Sequence, residues 1–186
     1  MILTDREIHA AVVSGQILIV PLPQRDAFSS TSVDLTLAPT IRLWRRNNVA
    51  GVEERVISPG GVGYDYRRVV NVFTDSLELG DEGFVLEPGA FLLGWTAESI
   101  ELPSVSRLAA RVEGRSSLAR LGIAVHVTAP TIHAGFKGQL QLELCNHGTL
   151  RVRILPAMSV CQIIFEQTLG TADKGYSGIF ADQRAG

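Results

Sequence analysis

Along residues 139–144, QLQLEL, apolar and polar positions alternate without a break. Gln139, Gln141 and Glu143 fall on one face and Leu140, Leu142 and Leu144 on the other. That is the period of a half-buried β-strand. Short runs of similar character fill most of the chain: ILIVPL, SVDLTLAP, TIRLWRR, VVNVF, GFVLEPG, AFLLGWTAESI, RLAARVEG, IAVHVTA, GQLQLELCN, LRVRILP and SVCQIIFE. Gly, Pro or Asn marks most of the breaks. Many short strands at near-regular spacing predict a mainly β protein, a sandwich or distorted barrel. Helical spacing shows in two places. Near the start, Thr4 suits an N-cap with Glu7 three residues on, Ile8, Ala11 and Val12 follow at helical intervals, and Gly15 suits the stop. In RSSLARLG (115–122), Ser116 and Ser117 suit a helix start, Leu118 to Leu121 a single turn, and Gly122 its end. With no internal repeat and no linker, residues 1–186 are expected to form one domain. The stretch 45–70 is the least readable. Its GVGYDYRR lacks a strand–turn–helix setting and reads as a surface loop.

Composition narrows the function without naming it. Hydrophobic residues make up 46% and charged residues 19% of the chain, which fits a globular rather than a disordered protein. The net charge of −2 gives no global sign of a nucleic-acid or membrane partner. No apolar run is long enough to span a bilayer, and the first residues carry acids where a signal peptide would carry bases. Cys145 and Cys161 lie in apolar, strand-like contexts and are expected as buried free thiols in a reducing cytosol, hence a cytoplasmic location. Trp44 and Trp95 are expected to pack internally. His126 and His147 form no ligand spacing with His133 and read as structural or surface residues. There is no CxxC, no HxE, no P-loop and no GxSxG elbow, so neither the zinc site of ordinary nucleobase deaminases nor a nucleophile elbow is legible.

One stretch has the makings of an anion site. In EGRSSLARLG a serine pair at a helix start offers backbone N–H groups and hydroxyls, and Arg115 and Arg120 flank them with guanidinium forks. The same residues also read as a capped helical turn with two surface arginines.

The segment GRSSLARLGIAVHVTAPTIHAGFKGQLQLEL resembles the central region of the dCTP deaminase family, a branch of the dUTPase-like superfamily. The likeness is colinear along the chain: MILTDREIHAAVVSGQILIVPLP resembles the family's opening helix and first strand, STSVDLTLAP its second block, FVLEPGAFLLGWTAESIELP its middle strands, and GYSGIFADQRAG its C-terminal lid. The resemblance implies a distorted, jelly-roll-like β-barrel of dUTPase type, with an N-terminal helix, a short internal helix and a lid over 170–186. It implies a homotrimer with sites between subunits, and deoxycytidine triphosphate bound with Mg²⁺ held by its phosphates. It implies hydrolytic deamination of cytosine to give dUTP and ammonia, without zinc or any metal held by protein side chains.

Residue by residue, Glu143 matches the family's catalytic glutamate, which serves as general base and then general acid. Ser116 and the backbone carbonyl of Ala129 match the groups that hold the attacking water, and Arg120 the arginine that orients the glutamate. Arg115, Ser116, Ser117, Leu118, Ala119 and Arg120 match the phosphate-binding segment. Gln141, Leu142 and Glu143 match the strand that reads the base, partly through its backbone. Gln162, Tyr176 and, in the lid, Gln183 match further substrate contacts. Three departures stand out: His133 replaces an aspartate that bonds the sugar, Thr131 a frequent arginine, and Ile179-Phe180 a common Lys-Tyr pair. The readings left open are a deaminase giving dUTP, a bifunctional enzyme giving dUMP and diphosphate, a dUTPase, and a nucleotide-binding regulator with weak turnover.

Overall fold

The computed structural model describes residues 1–45, 56–174 and 176 of the chain. In chain order its elements are α1 (Asp5–Val13), β1 (Leu18–Val20), β2 (Val33–Thr36), β3 (Thr40–Trp44), α2 (Tyr66–Phe73), β4 (Thr74–Glu78), β5 (Phe84–Leu86), β6 (Phe91–Glu101), β7 (Leu108–Gly114), α3 (Ser116–Ala119), β8 (Ile123–Ala124), β9 (Lys137–Asn146), β10 (Val152–Ile154) and β11 (Ser159–Gln167). The strands form a six-stranded sheet in the order β4-β3-β6-β9-β8 with β1 also on β6, a three-stranded sheet β2-β11-β7 and a ribbon β10-β5. The pairings are antiparallel. This is the mainly β architecture that the alternating pattern predicts.

The alternation works as expected. Leu140, Leu142 and Leu144 of β9 point into the core, where they join Val33 and Leu35 of β2, Val112 of β7 and Ile163 and Phe165 of β11. Burial of these side chains is the main force holding the two larger sheets together. The α1 helix adds Ile8 and Ala11. The Thr4 N–H donates to the Glu7 carboxylate at 3.1 Å, and the Thr4 hydroxyl turns to the same carboxylate.

Two expectations are corrected. VVNVF is not a strand: with Tyr66, Arg67 and Arg68 it forms α2. The cause is Asp65, whose side chain accepts from the N–H groups of Arg67 (2.9 Å) and Arg68 (3.5 Å) and so caps the helix. The three valines hide the helix, because β-branched residues prefer strands. GVGYDYRR is therefore a loop only as far as Asp65. β4, TDSLE, is an exposed edge strand too polar to show an apolar period. The rest of the 45–70 excursion falls partly on residues 46–55, outside the described residues. α2 covers the outer face of the six-stranded sheet, where Val70 packs with Ala38, Leu93 and Trp95, flanked by Trp44, Tyr66 and Ala97. Trp95 thus packs internally, but in this outer cluster rather than in the main core, and Trp44 is only half-buried at its edge.

Of the two cysteines, Cys161 is fully buried and burial pushes its thiol well up. Cys145 is only half-buried, with Sγ 3.8 Å from His147 Nδ1. Both are free. Among the described residues no helix is long and apolar enough to cross a membrane.

A bulge in β6, where its register against β9 shifts between Trp95 and Ser99, ties the sheets together. The Thr96 hydroxyl donates to the Glu98 carbonyl (2.7 Å) and accepts from the Leu140 N–H (3.0 Å). The bulge sends the buried Glu98 side chain towards β2, where its carboxylate accepts the N–H (2.9 Å) and hydroxyl (2.8 Å) of Thr36. Removing it would strand two half-buried donors. Glu98→Ala is therefore expected to lower unfolding free energy by about 3 kcal/mol, with Glu98→Gln milder. Urea denaturation checks this, and a loss under ~0.5 kcal/mol for the alanine variant would contradict it.

Candidate active site

The site begins where β8 and β9 part company. Their pairing runs only from Ile123↔Asn146 to Ala124↔Cys145. One more ladder bond follows, from the Glu143 N–H to the Val125 carbonyl at 3.0 Å. Beyond it the chain from His126 to Phe136 swings away from β9 and returns. The space so opened is a cavity of about 230 Å³, lined by His126, the loop 128–133, Phe136, residues 140–143 of β9 and Tyr176. IAVHVTA reads as one strand in sequence, yet it pairs over two residues because the loop peels off.

Glu143 stands at the parting point. Its Oε2 accepts from the N–H groups of Val127 (2.7 Å) and Thr128 (3.4 Å). The carboxylate thereby bridges the gap that its own strand has left. Its Oε1 accepts no hydrogen bond from the described residues, which leaves one oxygen fixed by backbone donors and one available. Gln141 lies two residues back on the same face and also lines the cavity. Its Oε1 accepts from the Tyr66 hydroxyl at 3.1 Å.

The far wall holds three further residues singled out in the sequence. Ala129, Thr131 and His133 line the cavity from the loop. Tyr176 closes it: its N–H donates to the Ala134 carbonyl at 2.9 Å. Its ring stacks on His133 at 6.2 Å and meets Phe136 at 5.9 Å. Leu142 contributes from a position buried in the core.

Residues 115–120 do not line this cavity. Arg115 is the N-cap of the four-residue α3 and pairs with Asp34 of β2. Ser116 and Ser117 are thus inside the helix rather than capping it, and both are exposed, as are Ala119 and Arg120. Leu118 packs on the core. Gly122, at φ +88°, is required here: a Cβ would lie 2.3 Å from the Gly148 nitrogen. The His147 N–H donates to the Gly122 carbonyl at 2.8 Å, so the α3 turn is clamped to the loop after β9. Gln162 sits beside this region on β11, with Oε1 accepting from the Ser32 hydroxyl at 2.9 Å. One chain therefore carries two separate groups: the cavity set around Glu143, and the Arg115–Arg120 set with Asp34 and Gln162. Gln183, Ile179 and Phe180 lie outside the described residues.

Two residues near the cavity escape the sequence reading. His126, read there as structural or surface, lines the cavity, and its Nδ1 is buried with no partner among the described residues. Tyr66 belongs to the helix whose existence was not legible. The alternation IAVHV could have flagged His126, but nothing local could have paired Tyr66 with Gln141.

A family model described as dCTP deaminase-like matches residues 2–168. The chain belongs to that family. It is 38% identical over 178 residues to a dCTP deaminase of Rhodospirillum rubrum, covering 95% of this chain and 88% of that one. It is 39% identical over 177 residues to a dCTP deaminase of Beutenbergia cavernae described as dUMP-forming, covering 95% and 84%. Among solved structures, the 2′-deoxycytidine 5′-triphosphate deaminase of Agrobacterium tumefaciens matches with a TM-score of 0.66 at 25% identity, over 89% of this chain. This chain spans about half (48%) of the length of that one. A Staphylococcus bacteriophage 80alpha dUTPase matches with a TM-score of 0.50 at 12% identity, covering 89% of this chain and 98% of that one. The fold is thus dUTPase-like, and the dCTP deaminase family supplies the frame for the residues just described.

Burial and the nearby Glu143 charge both raise the Tyr66 phenol above its ordinary value. A phenol raised in the folded state favours the fold fully below the unfolded value, and this contribution fades as pH rises through the folded value. Tyr66 should therefore stay a neutral donor throughout neutral and mildly alkaline solution. The tyrosinate absorbance of the wild type minus that of Tyr66→Phe should rise at a pH above that of a free tyrosine. A midpoint at or below the free value would refute the placement of Tyr66 beside Glu143.

Proposed function

We infer that the protein deaminates dCTP by hydrolysis, with Glu143 moving the protons. The observation that carries this is Glu143 itself, lining a cavity of about 230 Å³ with one oxygen held by two N–H donors and the other available. A base held rigidly within reach of a water needs little reorganisation to act. Its available oxygen takes a proton from water as the water oxygen bonds to C4 of cytosine, and that proton passes to N3. The new C4 hydroxyl then gives up its proton by way of Glu143 to the exocyclic nitrogen. The C4–N4 bond breaks, ammonia leaves, and a uracil ring with C4=O and N3–H remains. The Ala129 carbonyl is assigned to hold the water; in support, Ala129 lines the cavity.

Ser116 and Arg120 are assigned the remaining roles, holding the water and orienting the carboxylate, and they act from a neighbouring copy of the chain. Supporting this, Ser116, Ser117, Ala119 and Arg120 are exposed, and residues 115–120 do not line the cavity of their own chain. The assembly assigned is a closed trimer in which the Arg115–Arg120 set of one copy meets the cavity of the next. Arg120 and the hydroxyls of Ser116 and Ser117 then meet the phosphates. Arg115, partly neutralised by Asp34, chiefly holds the turn in place. Mg²⁺ is assigned to the triphosphate, as part of the substrate. Residues 170–186, with Gln183, are assigned to closing over it.

A second reading, deamination followed by diphosphate release to dUMP, is favoured by the dUMP-forming relative at 39% identity. His133 counts against a simple dUTPase, which would rely on an aspartate there to help position water near the α-phosphate and would not need Glu143. The protein should be incubated with dCTP and with dUTP, each with Mg²⁺, and its products identified. Ammonia with dUTP supports the first reading; ammonia with dUMP and diphosphate supports the second. Glu143→Gln should cut ammonia release by about 10²–10⁴-fold while sparing nucleotide binding. Ammonia release that survives this change would rule out the assigned role.

A further inference from the structure

The cavity has an end that the proposed chemistry does not use. It extends along β9 from Glu143 towards Gln141 and Leu140, and Leu144 and Cys145 on the other side do not line it. A pyrimidine placed with C4 at Glu143 therefore runs its N4–N3–O2 edge along the strand in the direction of Gln141. Gln141 shares the face of Glu143, two residues away, or roughly 7 Å along a strand. The far end of the ring edge thus falls near the Gln141 side chain.

A carboxamide at that point could offer either its oxygen or its amine. Tyr66 decides which. Its hydroxyl donates to Gln141 Oε1 at 3.1 Å and so engages the acceptor end of the side chain. The amine end, Nε2, is then the group left for a ligand. Tyr66 is itself held: it opens α2 behind the Asp65 cap and packs against the cluster of Val70, Leu93 and Trp95. Trp95 is also the registered neighbour of Gln141 across β6 and β9, so the helix, the indole and the carboxamide form one packed unit. A donor oriented in this way suits a carbonyl oxygen, and O2 is the carbonyl at that end of cytosine.

We propose that Gln141 is a specificity-determining residue whose Nε2 donates to the 2-carbonyl of the bound pyrimidine, and that Tyr66 is the positioning residue that orients it. The proposal rests on the deaminase reading above. It gives α2 a function: the helix carries a phenol from outside the barrel to the back of the base-binding strand. It also assigns base recognition to a side chain as well as to the β9 backbone.

The test uses the full-length protein with dCTP and with 2-thio-dCTP, in which a sulfur, a weak acceptor, replaces O2. Wild type, Tyr66→Phe, Gln141→Leu and the double variant are compared by KM and kcat, with thermal unfolding as a check on folding. The wild type is expected to prefer dCTP over the 2-thio analogue. Each single variant should raise KM for dCTP about tenfold, more than it lowers kcat, and should lose most of the preference against sulfur. The double variant should be no worse than Gln141→Leu alone, since Tyr66 acts only through Gln141. A packing role for Tyr66 would instead give additive effects and leave the oxygen-over-sulfur preference intact, and either result overturns the proposal. If Gln141→Leu fails to fold, Tyr66→Phe decides it by the sulfur preference alone. Ammonia release by the wild type with additive variants would sink this proposal only. No ammonia from the wild type would sink the deaminase reading and this proposal with it.

Discussion

The site depends on one hydrogen-bonding exchange. After Val125 the chain leaves β9, and backbone donors it withdraws from the ladder take a new partner. Those of Val127 and Thr128 turn to the Glu143 carboxylate, a side chain standing in for the missing strand. That substitution does two things together. It ties the loop to β9 across the cavity, and it fixes one oxygen of the Glu143 carboxylate at the cavity wall. A simple continuation of the hairpin would satisfy the same backbone groups and leave no room for a base.

The rest of the fold makes that exchange rigid. Leu140, Leu142 and Leu144 lock β9 into the core from beneath, so the strand cannot drift when the loop leaves it. The β6 bulge pins the same strand through Thr96 and Leu140 and reaches across to β2 through Glu98. On the outer face, α2 covers Leu93 and Trp95, the neighbours of Glu143 and Gln141 in the register. Clamping of α3 through Gly122 and Gly148 sets the second group of residues at a fixed place on the same molecule. The two groups are separate in one chain: the Glu143 set lines the cavity, and the Arg115–Arg120 set does not.

Much of this was legible. Period-two alternation located β9 and put Glu143 on the face opposite the leucines. The Thr4–Glu7 spacing located α1, and the serine pair with Gly122 located the α3 turn. Colinear resemblance named the family, and Ala129, Thr131, His133, Gln141 and Tyr176 do gather around Glu143. The misreadings have physical causes. VVNVF carries valines suited to either a strand or a helix, and the decision lay with Asp65 and with the apolar face waiting on the sheet. TDSLE is an edge strand, held by hydrogen bonds that leave no apolar trace. IAVHVTA has the pattern of a strand that tertiary structure interrupts.

The sequence by itself determined which residues face inward, because burial of apolar side chains follows a local period that the chain spells out. It also determined which residue types were available for the chemistry. Tertiary structure alone decided where two backbone segments separate, which donors Glu143 accepts, and that a tyrosine 75 residues before Gln141 holds its carboxamide. Those outcomes depend on pairing between distant segments, whose free energy comes from contacts that no local window contains.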